Sequence, residues 1–185
     1  MKMKNRTLFN TTVALCAAIN IIGAFIAVTL KLPIYLDTIG TFLAAFLMGP
    51  YWAMFAGAAT GIINGITFDP VSFYYIPVQL VIGGLAGLLF SKEWFNSKLK
   101  GVISTVLISV SGSIIASIIT AFVFGGITSS GSTYIVVILK NMGMNIFTAV
   151  FSTQIFTDIL DKAIAIAGVL GILKVMPREI KRKFI

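Results

Sequence analysis

Long uncharged apolar runs, broken by short polar segments, constrain this sequence more than any other feature. The first run, from Thr11 to Leu30, is long enough to cross a hydrocarbon core of roughly 30 Å as a helix. A helix also satisfies its own backbone polar groups, which lipid cannot do. The chain has 185 residues, of which 58% are hydrophobic and 11% charged, and its mean hydropathy is +1.01. A water-soluble domain of this length cannot cover that much apolar surface. The expectation is one all-α integral membrane domain over residues 1–185, a compact bundle of about six transmembrane helices.

Lys2, Lys4 and Arg6 precede the first run, as they would in a signal peptide. The run is long enough to span and is followed by no polar domain, so it reads as a retained helix. Helices are expected over roughly 8–30, 38–48, 51–67, 76–90, 102–124 and 156–176. Gly49-Pro50 punctuates the second and third, and Pro77 falls in the first turn of the fourth. An extra helical segment is expected within 134–155, turning into the last helix near Phe156.

Charge orients the bundle. The net charge is +8, with 14 Lys and Arg against 6 Asp and Glu. The cations sit at the ends of apolar runs, so the positive-inside rule explains them better than nucleic-acid binding does. With six helices both termini share a side, which holds Lys2, Lys4, Arg6, Lys92, Lys98, Lys100, Lys174, Arg178, Lys181, Arg182 and Lys183. The other side holds only Lys31 and Lys140. Both termini are expected in the cytoplasm, and the breaks at 31–37, 68–75 and 125–142 outside.

The chain has no histidine and one cysteine, Cys16. That argues against most transition-metal sites, against a histidine-based triad and against an internal disulfide. No Gly-rich phosphate loop precedes a Lys-Ser/Thr pair, so any ATP hydrolysis belongs to another chain.

Small residues recur every fourth position at Ala53, Gly57, Gly61 and Gly65, at Gly83 and Gly87, and at Ser109, Ser113 and Ser117. That spacing lets helices approach closely. Ala14 and Ala18 repeat it, as packing within the chain or as a docking face for another membrane protein. Outer-side polar groups at Asp37, Asn64, Asp69, Gln79 and Asn145, with aromatic Phe73, Tyr74 and Tyr75, could converge on one outward-facing pocket. Aromatic walls with a few hydrogen-bonding groups suit a flat heteroaromatic ligand. An interfacial aromatic belt, and capping or turn roles for the aspartates, are the alternatives. Asp158, Asp161 and Lys162 share a face of the last span and are expected to point inward and pair, or to serve a ligand or gate.

Several of these features together resemble a known family. They are Ala14-x-x-x-Ala18, the stretch Leu32-Pro33-Ile34-Tyr35-Leu36-Asp37-Thr38-Ile39-Gly40-Thr41, Gly49-Pro50 followed by an aromatic pair, Pro77-Val78-Gln79, and Asp161-Lys162. The chain resembles the substrate-binding S-component of an energy-coupling factor (ECF) vitamin transporter, closest to the hydroxymethylpyrimidine or pyridoxine branch, with the cobalamin branch as runner-up. The resemblance implies a six-helix subunit of the prokaryotic plasma membrane, with no enzyme activity and no cofactor, that captures a vitamin. It implies one transmembrane coupling protein and two cytosolic ATPases as partners. It assigns Ala14 and Ala18 to the coupling-protein contact, and Lys31, Leu32, Pro33, Ile34, Tyr35 and Leu36 to a gate. Ligand contacts map to Tyr74, Tyr75, Gln79, Asn141 and Asn145, with Asp37 and Asn64 as further candidates. Two other classes compete: a stand-alone secondary transporter, which would favour inverted repeats and a midplane ion site, and a membrane sensor, which would continue into a signalling domain.

Overall fold

The computed structural model describes residues 3–181, 183 and 184; Lys2 and Arg182, counted above for topology, lie outside the described residues. Helix α1 (Met3–Thr29) runs through the first apolar stretch. It ends in a Schellman motif: Leu32 N–H donates to Ala27 O, Lys31 N–H to Val28 O, and Lys31 turns left-handed at φ 53. Helix α2 (Ile39–Met48) is short and buries Phe42, Ala44, Ala45 and Phe46. Its 10 residues rise only about 15 Å. It packs against α1, α3 (Pro50–Thr67), α4 (Ile76–Ser91) and α7 (Ile146–Val175), so protein rather than lipid surrounds most of it. Gly49 makes the α2–α3 turn at φ 89, and Pro50 opens α3 where no amide donor is needed.

Helices α3 and α4 pack antiparallel, small residue against neighbour, along their length. A Cβ on Gly57 would meet Gln79, one on Gly61 would meet Ile76, one on Gly65 would meet Phe73, and one on Gly87 would lie 2.5 Å from Pro50. The four-residue spacing therefore builds this hairpin from within the chain. A 3₁₀ turn (Pro70–Tyr75) feeds α4, so the second polar break is ordered and continuous with it. Helix α5 (Lys98–Ile118) continues into a π-helical turn (Ile119–Val123). Its serine stripe faces α7, where Ser109 donates to Asp158 O and Ser113 to Asp158 Oδ2.

Helix α6 (Ser132–Asn141) is the expected outer segment. The last helix differs from expectation. It is continuous from Ile146 through Val175, with no turn near Phe156, because no glycine or proline interrupts the run before Gly168 and Asn145 caps its start. A one-turn helix α8 (Arg178–Lys181) follows. The Phe9 and Phe184 rings lie 5.7 Å apart, which places the two ends of the chain at one end of the bundle.

Among the described residues, three helical stretches are long and apolar enough to cross a bilayer unaided: Arg6–Thr29, Pro70–Ser91 and Lys98–Val123. Helix α7 is longer than any of them, but every 18-residue window within it contains Asp158, Asp161 and Lys162. Those three are buried, so the charges face protein and not lipid. The fold is an all-α membrane bundle wrapped around polar residues that sequence hydropathy alone underrates.

Two glycines separate close packing from mere helix-breaking. A Cβ on Gly40 would lie 1.8 Å from the Cys16 carbonyl oxygen, whereas one on Gly168 would meet nothing. We expect Gly40→Ala to destabilise the bundle by about 2–3 kcal/mol, and Gly168→Ala to leave it unchanged or raise it by about 0.5–1 kcal/mol. Thermal unfolding in detergent micelles checks this; equal effects would show that Gly40 is not a contact point.

Candidate functional site

The α1–α2 segment does not project from the bundle; it folds over its end as a lid. Four separate hooks hold it. Lys31 Nζ donates to Ser129 O at 3.1 Å. Gly131 N–H donates to Leu32 O at 3.2 Å, and only a glycine fits there, since a Cβ would lie 1.9 Å from Lys31 O. The Tyr35 hydroxyl pairs with Ser132 Oγ. Tyr35 N–H and Leu36 N–H both donate to Asp161 Oδ1, at 3.1 and 2.8 Å. Leu36 reaches this bond with φ 55, a left-handed conformation that a residue with a side chain adopts at a cost. Its carbonyl seats on Gly23, where a Cβ would lie 2.1 Å away.

Asp161 can latch the lid because Lys162 holds its other oxygen. Lys162 Nζ lies 2.9 Å from Asp161 Oδ2 and 3.1 Å from Asp158 Oδ1, and 5.5 Å from the Tyr35 ring centroid. All three charged residues are buried, at 4% exposure or less. Desolvating them is expensive, and only this mutual pairing with the backbone and Ser113 donors offsets the cost.

Under the lid lies a cavity that stays partly open to the outside. Its walls come from Tyr35 and Asp37 of the lid, Thr60 and Asn64 of α3, Asp69 just before the 3₁₀ turn, Ser72 and Tyr75 within it, Gln79 of α4, Ser129 and Ser130 before α6, and Gln154, Asp158 and Lys162 of α7. The space open to the centre of a water-sized sphere is about 90 Å³. One water takes roughly 10–15 Å³ on that measure, so the cavity admits a group of small-molecule size.

A polar chain forms the floor. Asn20 Nδ2 donates to Thr41 Oγ1 and Thr60 Oγ1, and Asn20 Oδ1 accepts from Gly40 N–H at 2.7 Å. Thr41 Oγ1 donates to Gln79 Oε1, and Gln79 Nε2 donates to Asp37 Oδ2 at 2.7 Å. Burial pushes the Asp37 carboxyl up to about 6, and Lys162 partly opposes that rise. Two acceptors on the wall are buried and receive no hydrogen bond: Asp37 Oδ1 and Asn64 Oδ1.

Of the residues expected to contact a ligand, the fold gathers Asp37, Asn64, Tyr75 and Gln79 on this one cavity. It places Tyr74, Asn141 and Asn145 elsewhere. Tyr74 is 53% exposed with its ring edge-on to Phe124, because the 3₁₀ turn points adjacent tyrosines in different directions. Asn141 ends α6 on the surface, and Asn145 spends its side chain accepting from Thr148 N–H as the α7 cap. Ala14 and Ala18 are exposed on a groove between α1 and α3, with Trp52, Phe55 and Ala59 opposite. Sequence reasoning missed Asn20, Thr60 and Gln154 as cavity or floor groups; each is a polar residue inside an apolar helix, which is the signal that could have found them. Among the described residues, no three His, Cys, Asp or Glu side chains are placed to hold a metal ion.

The family model described as ECF transporter, substrate-specific component, matches residues 7–173. No curated protein and no solved structure matches.

Removing the Asp161 carboxylate frees the lid and strands part of the Lys162 charge. We expect Asp161→Ala to destabilise the protein by about 3 kcal/mol or more, and to speed amide exchange at Tyr35 and Leu36 at least ten-fold. Hydrogen exchange read by mass spectrometry checks it; unchanged protection of those amides would show that Asp161 does not hold the lid.

Proposed function

We propose a function from one premise: this chain belongs to the ECF transporter substrate-specific component family. Such components are substrate-binding transporter subunits and not enzymes. In our reading this one captures a one-ring vitamin or vitamin precursor, of the hydroxymethylpyrimidine or pyridoxine type, from the outer face of the cell membrane. It passes the molecule inward when docked to a transmembrane coupling protein carrying two ATPases. Both termini face the cytoplasm, on the side where the basic residues gather.

The observation that carries this reading is the polar cavity beneath the latched lid. A solute held there is walled by Tyr35 and Tyr75 and met by polar groups from six separate segments. The cavity's size supports a single ring of about ten non-hydrogen atoms and opposes a corrinoid, many times larger. The groove at Ala14 and Ala18 supports docking, because small exposed residues let another helix approach α1 closely. Lys31 through Leu36 act as the gate. Release requires the lid to leave Asp161, and that step is where the partner's ATP-driven motion would act.

Two sets of variants check the parts separately. Gln79→Ala is expected to weaken binding of the transported ring at least ten-fold in titration calorimetry, while Asn145→Ala leaves it within two-fold. Ala14→Trp and Ala18→Trp are expected to abolish co-purification with the coupling protein and leave calorimetric binding intact. Loss of both properties together would mean that these alanines only pack the bundle.

A further inference from the structure

On the substrate-binding reading above, we infer that Thr120, which has no face on the cavity, is a positioning residue for it. Its hydroxyl sets Tyr75 toward a guest as a hydrogen-bond donor and Gln154 as an acceptor.

Most helix threonines in this bundle spend the hydroxyl hydrogen on their own helix. Thr60, Thr105, Thr153 and Thr157 each donate to the carbonyl four positions back. Thr120 does not. It lies in the π-helical turn Ile119–Val123, where backbone bonds run to the fifth residue rather than the fourth. Gly126 N–H closes that turn onto Thr120 O at 2.8 Å. The side chain is thereby released from the back-bonding usual for a helical threonine. Because α5 packs against both α4 and α7, the freed hydroxyl reaches a neighbour on each side.

A threonine hydroxyl has one hydrogen to give and two lone pairs to receive. Gln154 Nε2 donates to Thr120 Oγ1 at 2.7 Å, which uses one lone pair. Thr120 is buried, and among the described residues the Tyr75 hydroxyl oxygen is the one acceptor its hydrogen can meet. Giving the hydrogen there leaves Tyr75 with its own hydroxyl hydrogen and no second protein partner. Gln154 Oε1 has no protein partner either, yet it is not sealed in as Asp37 Oδ1 is. Tyr75 and Gln154 both line the cavity. Phe124, just past the π turn, lies parallel to the Tyr75 ring, with 6.3 Å between centroids and 10° between planes, and limits its swing. The amide and the two hydroxyls form one relay in which each bond polarises the next. Losing the middle hydroxyl releases both ends at once.

Two substitutions of opposite kind test this on the detergent-purified full chain. Thr120→Val keeps the branched shape and removes the hydroxyl; Thr120→Ser keeps the hydroxyl and removes a methyl group. One readout needs no guest. The tyrosine Fermi doublet in ultraviolet resonance Raman spectra reports whether a phenol oxygen accepts or its hydrogen is donated. The Tyr75 share is the difference between each protein and its Tyr75→Phe counterpart. Wild type and Thr120→Ser should show Tyr75 as an acceptor, and Thr120→Val should lose that signature. A donor signature in wild type, or no change in Thr120→Val, overturns the inference. The other readout is titration calorimetry with pyridoxine and with 4-amino-5-hydroxymethyl-2-methylpyrimidine. For whichever ring binds, Thr120→Val should weaken it at least ten-fold and Thr120→Ser three-fold or less. A role in packing alone would reverse that order, and unchanged affinity in both would leave Thr120 no part in binding. Either result overturns the inference and leaves the substrate-binding reading standing. If neither ring binds the wild-type protein, the one-ring reading fails and the Raman result alone decides the role of Thr120.

Discussion

A single carboxylate, Asp161, ties the charged interior of this protein to the segment that covers its cavity. One of its oxygens takes the Lys162 ammonium and the other takes two backbone amides of the lid. A buried carboxylate is tolerable only with such complete satisfaction. The requirement runs in both directions. The charge keeps the lid seated, and the lid keeps the charge paired. Because Asp158 and Lys162 also line the cavity, the cavity wall and the latch share one charged network.

Helix packing places this network at the right depth. Glycines on α3 and α4 bring those two helices into close contact, and the serines of α5 bond to α7 at the ion pair itself, through Asp158. Short α2 fills the centre and contributes Thr41, which links Asn20 of α1 to Gln79 of α4. Lipid supplies the outer solvent for residues such as Phe55, Ile66 and Phe122, which stand exposed on the surface. The apolar outside and the polar inside are thus two consequences of one environment: a bilayer rewards oily surfaces and leaves hydrogen bonding to the interior.

Much of this was legible in the sequence. Apolar run length and punctuation at Gly49-Pro50 located the helices, and the buried placement of Asp158, Asp161 and Lys162 follows from the cost of charge in lipid. Asp37, Asn64, Tyr75 and Gln79 could be grouped because they fall at the ends of helices that open on one face. Tyr74, Asn141 and Asn145 could not be sorted from them. Neighbouring tyrosines diverge in a 3₁₀ turn, and an asparagine before a helix is as readily a cap as a ligand. The continuity of α7 escaped as well, since thirty residues exceed one crossing and invite a break that the chain does not make. The latch was not readable at all, because Asp161 lies more than a hundred positions from the amides it holds.

Lys31 and Leu36 bracket the lid, and both carry side chains on backbone that suits glycine. Each costs roughly 1–3 kcal/mol to hold there. At Lys31 that cost is met by the hydrogen bonds that end α1, and at Leu36 by the bonds to Asp161. Once the Asp161 bonds break, the backbone at Leu36 relaxes downhill, so part of the work of lifting this segment is already stored in it.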